Sequence, residues 1–370
     1  MMSDYRQYMA IMMRLITGLC LFVSSLTAYS QSEFALVVKS YSNLHTVAGR
    51  GWIATDGVNG WTPNMEGGNA TDAELSRPHM TMADAAGNLY IADKCGHAIR
   101  RVETNGTIHT IAGTGVAGYN GDGAAVACQL NNPNGLFTRP DGTTYILDTD
   151  NGRIRKLTTD GQLTTILKSP GGISGGRGLW VSSDQSVIYY CSGTVVRKWT
   201  TQAGLTNYAT GFGDLGNIDV DPRDGTLAVT DMMSNRVYRV YSDGSRAAIA
   251  GNGLASGGGD GYPALETGLW EARGICFAAN GGYYLATQAG SQIWYVDLFG
   301  TIHLLIDGAV GTHAGDGQPL STPGRKISEP RSVTRSPRGD LIITENDAGF
   351  IRVADARAVY RPKGACVIIR

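Results

Sequence analysis

Six short apolar runs in this chain each open on a polar residue: His79, Asn134, Arg177, Asn217, Arg273 and Arg331. Three guanidiniums and an imidazole gathered in one funnel would hold an anion such as a carboxylate, a sulfate or an acidic side chain, because guanidinium N–H groups meet oxyanions as a fork. The same arginines could instead pair with Asp or Glu of neighbouring loops and serve only to hold the elements together. A second polar series, Asp93, Asp148, Cys191, Asp231, Thr287 and Glu345, closes the next apolar run each time. A catalytic carboxylate should be singular, so this repetition assigns the second series to capping the turns that follow.

A third set, Asp122, Asp260 and Asp316, lies in Gly-Asp-Gly triplets at 121–123, 259–261 and 315–317, and "EGGNATDAELSRP" (66–78) holds the corresponding place earlier in the chain. A phosphate loop would need Lys and Ser or Thr after the glycines at the head of a helix, and none is there. A calcium loop supplies oxygen ligands at alternate positions, whereas each triplet offers one Asp. These segments are therefore expected to be turns in which Asp bonds backbone, with glycines in left-handed conformations, and to contribute a loop-built rim to any ligand surface. No cofactor is expected; calcium or zinc is the alternative. Of the six histidines, His45, His109 and His303 fall at equivalent places in outer strands, where they are exposed and cannot converge on one metal. His97 lies in a turn and His313 in an insertion, which leaves His79 for the funnel. No nucleophile-elbow motif is present.

What must position these residues is a repeat. "PHMTMADAAGNLYIADKCGHAIRRVETNGTIHTIAG" (78–113) aligns with "PNGLFTRPDGTTYILDTDNGRIRKLTTDGQLTTIL" (133–167), and four weaker copies follow at 176–211, 216–251, 272–306 and 330–360. Each copy holds three or four β-prone runs separated by Asp-Gly, Asn-Gly or Gly-rich turns, the pattern of an antiparallel meander. One small sheet cannot bury both faces, so the copies pack face to face and close radially, giving an all-β, six-bladed propeller of four-stranded blades. The sixth copy lacks a fourth strand, while "NLHTVAG" (43–49) matches the fourth-strand text "TIHTIAG" (107–113). The N-terminal strand is expected to close the last blade. The unit from Pro78 to Val102 and from Pro133 to Leu157 resembles the NHL repeat family of β-propellers, across all six copies. That resemblance implies the propeller fold and no particular activity, because the family includes interaction domains, sensor domains and a few lyases. The lyases use several channel histidines on a divalent metal with an additional Tyr and Arg; here His79 alone is matched by position.

The chain has 370 residues, 51 glycines, 12 prolines and a formal charge of -1. Such a balance lacks the basic field that drives binding to phosphate backbones, so nucleic acid is excluded as a partner. Arg6 and Arg14 ahead of the apolar run from Leu15 to Leu26, followed by small residues, form a secretory signal peptide over 1–30, with residues 31–370 as one propeller domain. No membrane span is expected after cleavage, and the protein is placed outside the cell or in the periplasm. Cys20 lies in the signal; Cys95, Cys128, Cys191, Cys276 and Cys366 form no zinc or disulfide spacing and are assigned to buried positions. The sequence thus describes an exported platform for a protein, peptide or glycan, anionic at the point of contact. The alternative is a metal-assisted lyase or hydrolase with its site in the central channel, around His79, Arg273 and carboxylates from the insertions.

Overall fold

In the computed structural model, the described residues are 31, 33–51 and 57–357. The signal segment 1–30, with Cys20, and Cys366 lie outside them. The alternating apolar runs form six antiparallel sheets. Blade 1 runs Pro78–Ala83, Leu89–Asp93, Ala98–Val102 and Ile108–Ala112 from axis to periphery. The innermost strands of blades 2 to 6 are Pro133–Thr138, Leu179–Val181, Leu215–Val220, Ala272–Phe277 and Pro330–Arg335. Each innermost strand touches the next, and blade 6 touches blade 1, so the ring is closed. Six apolar clusters fill the seams; Tyr90, Ile99, Leu136 and Ile146, for example, bind blade 1 to blade 2. Strand crowding near the axis requires small residues: a Cβ on Gly135 would lie 2.1 Å from the carbonyl oxygen of Arg177 in the next blade.

The closing strand is as expected. Tyr41–Ala48 pairs antiparallel with Phe350–Ala356, placing Leu44 opposite Ala354 and His45 opposite Val353. Before it, residues 33–39 are helical and lay Phe34, Val37 and Val38 on the cluster between blades 5 and 6. Phe34 stacks on His303 at 4.4 Å. His303 is consequently 1% exposed, not the solvent-facing edge residue that its strand position suggested, because the helix at 33–39 covers that edge.

The four insertions are edge covers. Each precedes a blade and folds over that blade's outermost strand. Asp122 accepts from the Thr165 N–H at 2.9 Å, Asp260 from the Leu304 N–H at 2.9 Å, and Asp316 from the Thr46 side chain of the outermost strand and from Arg352 of the third, while Glu66 takes the Thr110 N–H at 3.1 Å. Gly123–Ala124 and Gln318–Pro319 add two-residue strands to blades 2 and 6. An uncovered outer strand leaves a row of free N–H and C=O groups, and these loops blunt it.

Candidate functional site

Strand register decides which residues share the channel mouth. Leu136 faces Ile146, two residues before Asp148, and in blade 4 Ile218 faces Val229, two residues before Asp231. The position equivalent to Asn134 is therefore Gly216, and Asn217 stands one residue further along, buried, with its Oδ1 accepting from the Ile218 N–H. The one-residue slip arose because "LGN" carries no proline to mark the strand start. The second series shifts likewise in blade 3: Ser192 faces Val195 as Asp148 faces Arg153, so Ser192 and not Cys191 holds that position. A shorter turn in blade 3 concealed this.

With the register corrected, five of the six positions share one task, whereas Thr287 donates to the Gln292 carbonyl at 3.4 Å. Asp93, Asp148, Asp231 and Glu345 accept from the backbone N–H groups of Ser76, Asn131, Gly213 and Ser328, and Ser192 Oγ accepts from Ser174. Each acceptor fixes the chain three residues ahead of the mouth position of its own blade. In blades 1, 2 and 6 the carboxylate is also bound by a buried third-strand arginine, Arg100, Arg155 or Arg352. These residues therefore cap the segment that leads into the innermost strand and not, as the sequence suggested, the turns that follow them, although Asp148 also takes the Asn151 amide of its following turn. The caps hold the approach to the mouth.

Two residues ahead of each mouth position runs a collar: Arg77, Asn132, Gly175, Asp214, Glu271 and Glu329. Arg77, Asn132, Glu271 and Glu329 have φ of 60°, 49°, 56° and 46°. Left-handed backbone costs a non-glycine residue about 1–2 kcal/mol. The preceding blade holds it in place. His97 Nδ1 accepts from the Asn132 N–H at 3.2 Å, Asn235 Oδ1 from Glu271 at 2.8 Å and Ser291 Oγ from Glu329 at 3.1 Å, while Arg77 pairs with Asp347 at 2.7 Å.

Inside the collar lie His79, Asn134, Arg273 and Arg331, all buried, with Arg177 half-buried. Arg273 donates to Glu271 at 3.3 Å. Among the described residues Arg177 and Arg331 form no ion pair within 4.0 Å, and Arg177 Nε and Nη1, Arg331 Nε, His79 Nδ1 and Asn134 Oδ1 are buried without a hydrogen-bond partner. Burial, then the charges of Arg273 and Arg331, hold Arg177 well below the usual guanidinium range; burial and Arg273 bring Arg331 to about 10. Burial and then Arg177 and Arg331 keep His79 far below the ordinary imidazole value, so its ring is neutral. Of the two sequence readings for these arginines, partnering by loop carboxylates describes Arg273, and open cationic groups describe Arg177 and Arg331.

Asp122, Asp260 and Asp316 leave from the same end of the blades as the mouth but bind outer strands, as described above. Among the described residues no three His, Cys, Asp or Glu side chains gather so as to hold a metal ion. Cys95, Cys128 and Cys191 are buried and Cys276 is half-buried.

The latch at His97 gives a pH dependence. Burial holds His97 below its ordinary 6.5, and His79 is held lower still. The unfolded chain therefore takes up these protons first; the contribution to stability is complete above about pH 6.5 and is lost as pH falls toward the folded values. His97→Asn copies Asn235 of blade 4 and keeps an acceptor without a titrating ring. The urea midpoint should drop between pH 7.5 and pH 5.5 in the parent and drop less in this variant; equal drops would remove His97 from the account.

A closed six-bladed propeller with a cationic, partly unpaired mouth is the class that fold and site define. No family model matches the chain. The sequence is 26% identical over 282 residues to Protein SUPPRESSOR OF QUENCHING 1, chloroplastic, of Arabidopsis thaliana, covering 63% of this chain and 26% of that protein. The chain thus spans about a quarter of that relative's length. The fold resembles an auxiliary nutrient binding protein from Bacteroides ovatus (TM-score 0.62, 14% identity, 86% of this chain and 77% of that chain). It also resembles a streptogramin B lyase (TM-score 0.52, 14% identity, 77% of this chain and 95% of that chain). Likeness at this identity establishes the propeller and leaves activity to the site.

Proposed function

We propose that the protein is an exported binding module whose channel mouth seats an anionic group of a protein, peptide or glycan ligand. The observation that carries this reading is the pair Arg177 and Arg331, guanidiniums at the axis with buried N–H groups and no carboxylate partner. An unpaired buried cation is costly and persists where something outside the fold satisfies it. The strained collar supports the same assignment, since left-handed non-glycine residues gather where geometry must be held for a ligand. Export rests on the signal-like segment 1–30, and no helix among the described residues is long and apolar enough to cross a membrane. That the Bacteroides ovatus protein is an auxiliary nutrient binding protein accords with a binding role. The lyase alternative is less well supported, because the cations that keep His79 neutral also oppose a divalent metal on its ring.

The test is affinity for carboxylate- and sulfate-terminated peptides and oligosaccharides, by calorimetry at low salt. Arg177→Ala, Arg273→Ala and Arg331→Ala combined should lower affinity about tenfold or more, the scale of a charge-assisted hydrogen bond. A folded triple variant with full affinity would remove the anionic mouth.

A further inference from the structure

The mouth is cationic on its floor but not all round. Acids occupy the collar in three consecutive blades, Asp214, Glu271 and Glu329. Arg273 takes Glu271 and Arg77 takes Asp347, the acid that blade 6 adds from its turn. Glu329 forms no ion pair within 4.0 Å among the described residues. Instead, its carboxyl faces that of Asp347, and burial with this like charge pushes its pKa up.

Two further groups on the same side lack donors. Asn346 is fully buried; its Nδ2 donates to the Pro78 carbonyl at 3.1 Å, which fixes the amide orientation, and its Oδ1 has no partner. The Asn346 N–H is bound to the Glu329 carbonyl, so this amide belongs to the collar. Gln288, 6% exposed, supports the Glu329 carboxylate, and its Oε1 is likewise without a donor. Beside the open guanidinium of Arg331 there is thus a patch in which acceptors outnumber donors: the Glu329 carboxyl, the Asp347 carboxyl that Arg77 already holds, and two amide oxygens without a donor. Such a patch calls for N–H donors carrying positive charge, and a primary ammonium supplies three.

We infer that the ligand group bound at this mouth is zwitterionic, with its anion on Arg177 and Arg331 and an ammonium a few bonds away on Glu329, Asp347, Asn346 and Gln288. This inference rests on the anion-binding reading of the mouth and names the ligand class. Glu329 stands two residues from Arg331, a backbone span of at most about 7 Å, so the opposite charges of the ligand are separated by a short linker. An amino acid or an ω-amino acid has this shape; a simple carboxylate or a sulfate ester does not.

The experiment compares γ-aminobutyrate, butyrate and butylamine on the full chain by calorimetry or ligand-observed NMR at low salt. γ-Aminobutyrate should bind about tenfold more tightly than either half-ligand, and Glu329→Gln should bring its ratio to butyrate toward one. Arg177→Ala should weaken γ-aminobutyrate and butyrate alike. If butyrate equals γ-aminobutyrate and both need Arg177, the anionic mouth stands and the zwitterion falls. If Arg177→Ala leaves γ-aminobutyrate binding intact, or no probe binds, the mouth reading falls with it.

Discussion

Arg155→Ala is expected to destabilise the propeller by about 3–5 kcal/mol, the cost of breaking a buried ion pair from one side. Arg155 and Asp148 are both fully buried, and the guanidinium donates to Asp148 at 3.3 Å, to Asp122 at 3.1 Å and to the Gly121 carbonyl at 2.8 Å. One side chain therefore joins the third strand, the cap that fixes Asn131, and the insertion covering the outer edge of blade 2. Removing it leaves a buried carboxylate without its counter-charge and a carbonyl without its donor while the cap still has to hold the approach to the mouth. Arg352 does the same in blade 6 with Glu345, Asp316 and Ala314. The half-buried pair Arg101 and Glu103, at 2.7 Å, is the contrast: Arg101→Ala should cost about 1 kcal/mol or less. Urea unfolding of the three variants measures this, and an Arg155→Ala loss as small as that of Arg101→Ala would refute the staple. Pairing Arg155→Met with Asp148→Leu should recover much of the loss, since a buried pair is far cheaper to replace than to halve.

The second expected result has the opposite sign. Arg331→Met should raise stability by about 1–3 kcal/mol while weakening ligand binding. Arg331 is 7% exposed, and burial together with Arg273 lowers its pKa from 12.5 to about 10. For a basic group this means that the charged form is disfavoured by folding, so at neutral pH, far below both values, the penalty is present in full; one pKa unit corresponds to about 1.4 kcal/mol. Methionine fills similar volume without charge and also relieves Arg177, which the same cluster strains. Most substitutions of buried residues destabilise, so a rise in urea midpoint with lost affinity marks a site kept for function at the expense of stability. A drop of more than about 2 kcal/mol would show instead that Arg331 holds the blades together.

Repeat text made the architecture legible. Proline ahead of the innermost strand in blades 1, 2 and 6, the Asp-Gly and Asn-Gly turns, and the match of "NLHTVAG" to "TIHTIAG" specified six sheets and the closing strand, because these signals are local chemistry repeated at one period. The mouth position was legible by aligning the copies, the weaker ones included, and Arg177, Arg273 and Arg331 were found that way. It failed where a copy lost its marker: a missing proline moved Asn217 into the place of Gly216, and a short turn moved Cys191 into that of Ser192. One residue is enough, since side chains alternate faces along a strand.

The rest depended on contacts between distant segments. The sequence by itself determined the all-β class, the blade count, the closing strand and the polarity of the mouth, all of which follow from short-range patterns and their repetition. Only the tertiary structure decided that Asp122, Asp260 and Asp316 serve outer strands, that a helix buries His303, that His97 latches blade 1 to the collar of blade 2, and that Arg273 is paired while Arg177 and Arg331 are not. Each of these is a question of which partner lies within hydrogen-bonding distance across a seam, and spacing along the chain carries no record of that distance until the ring has closed.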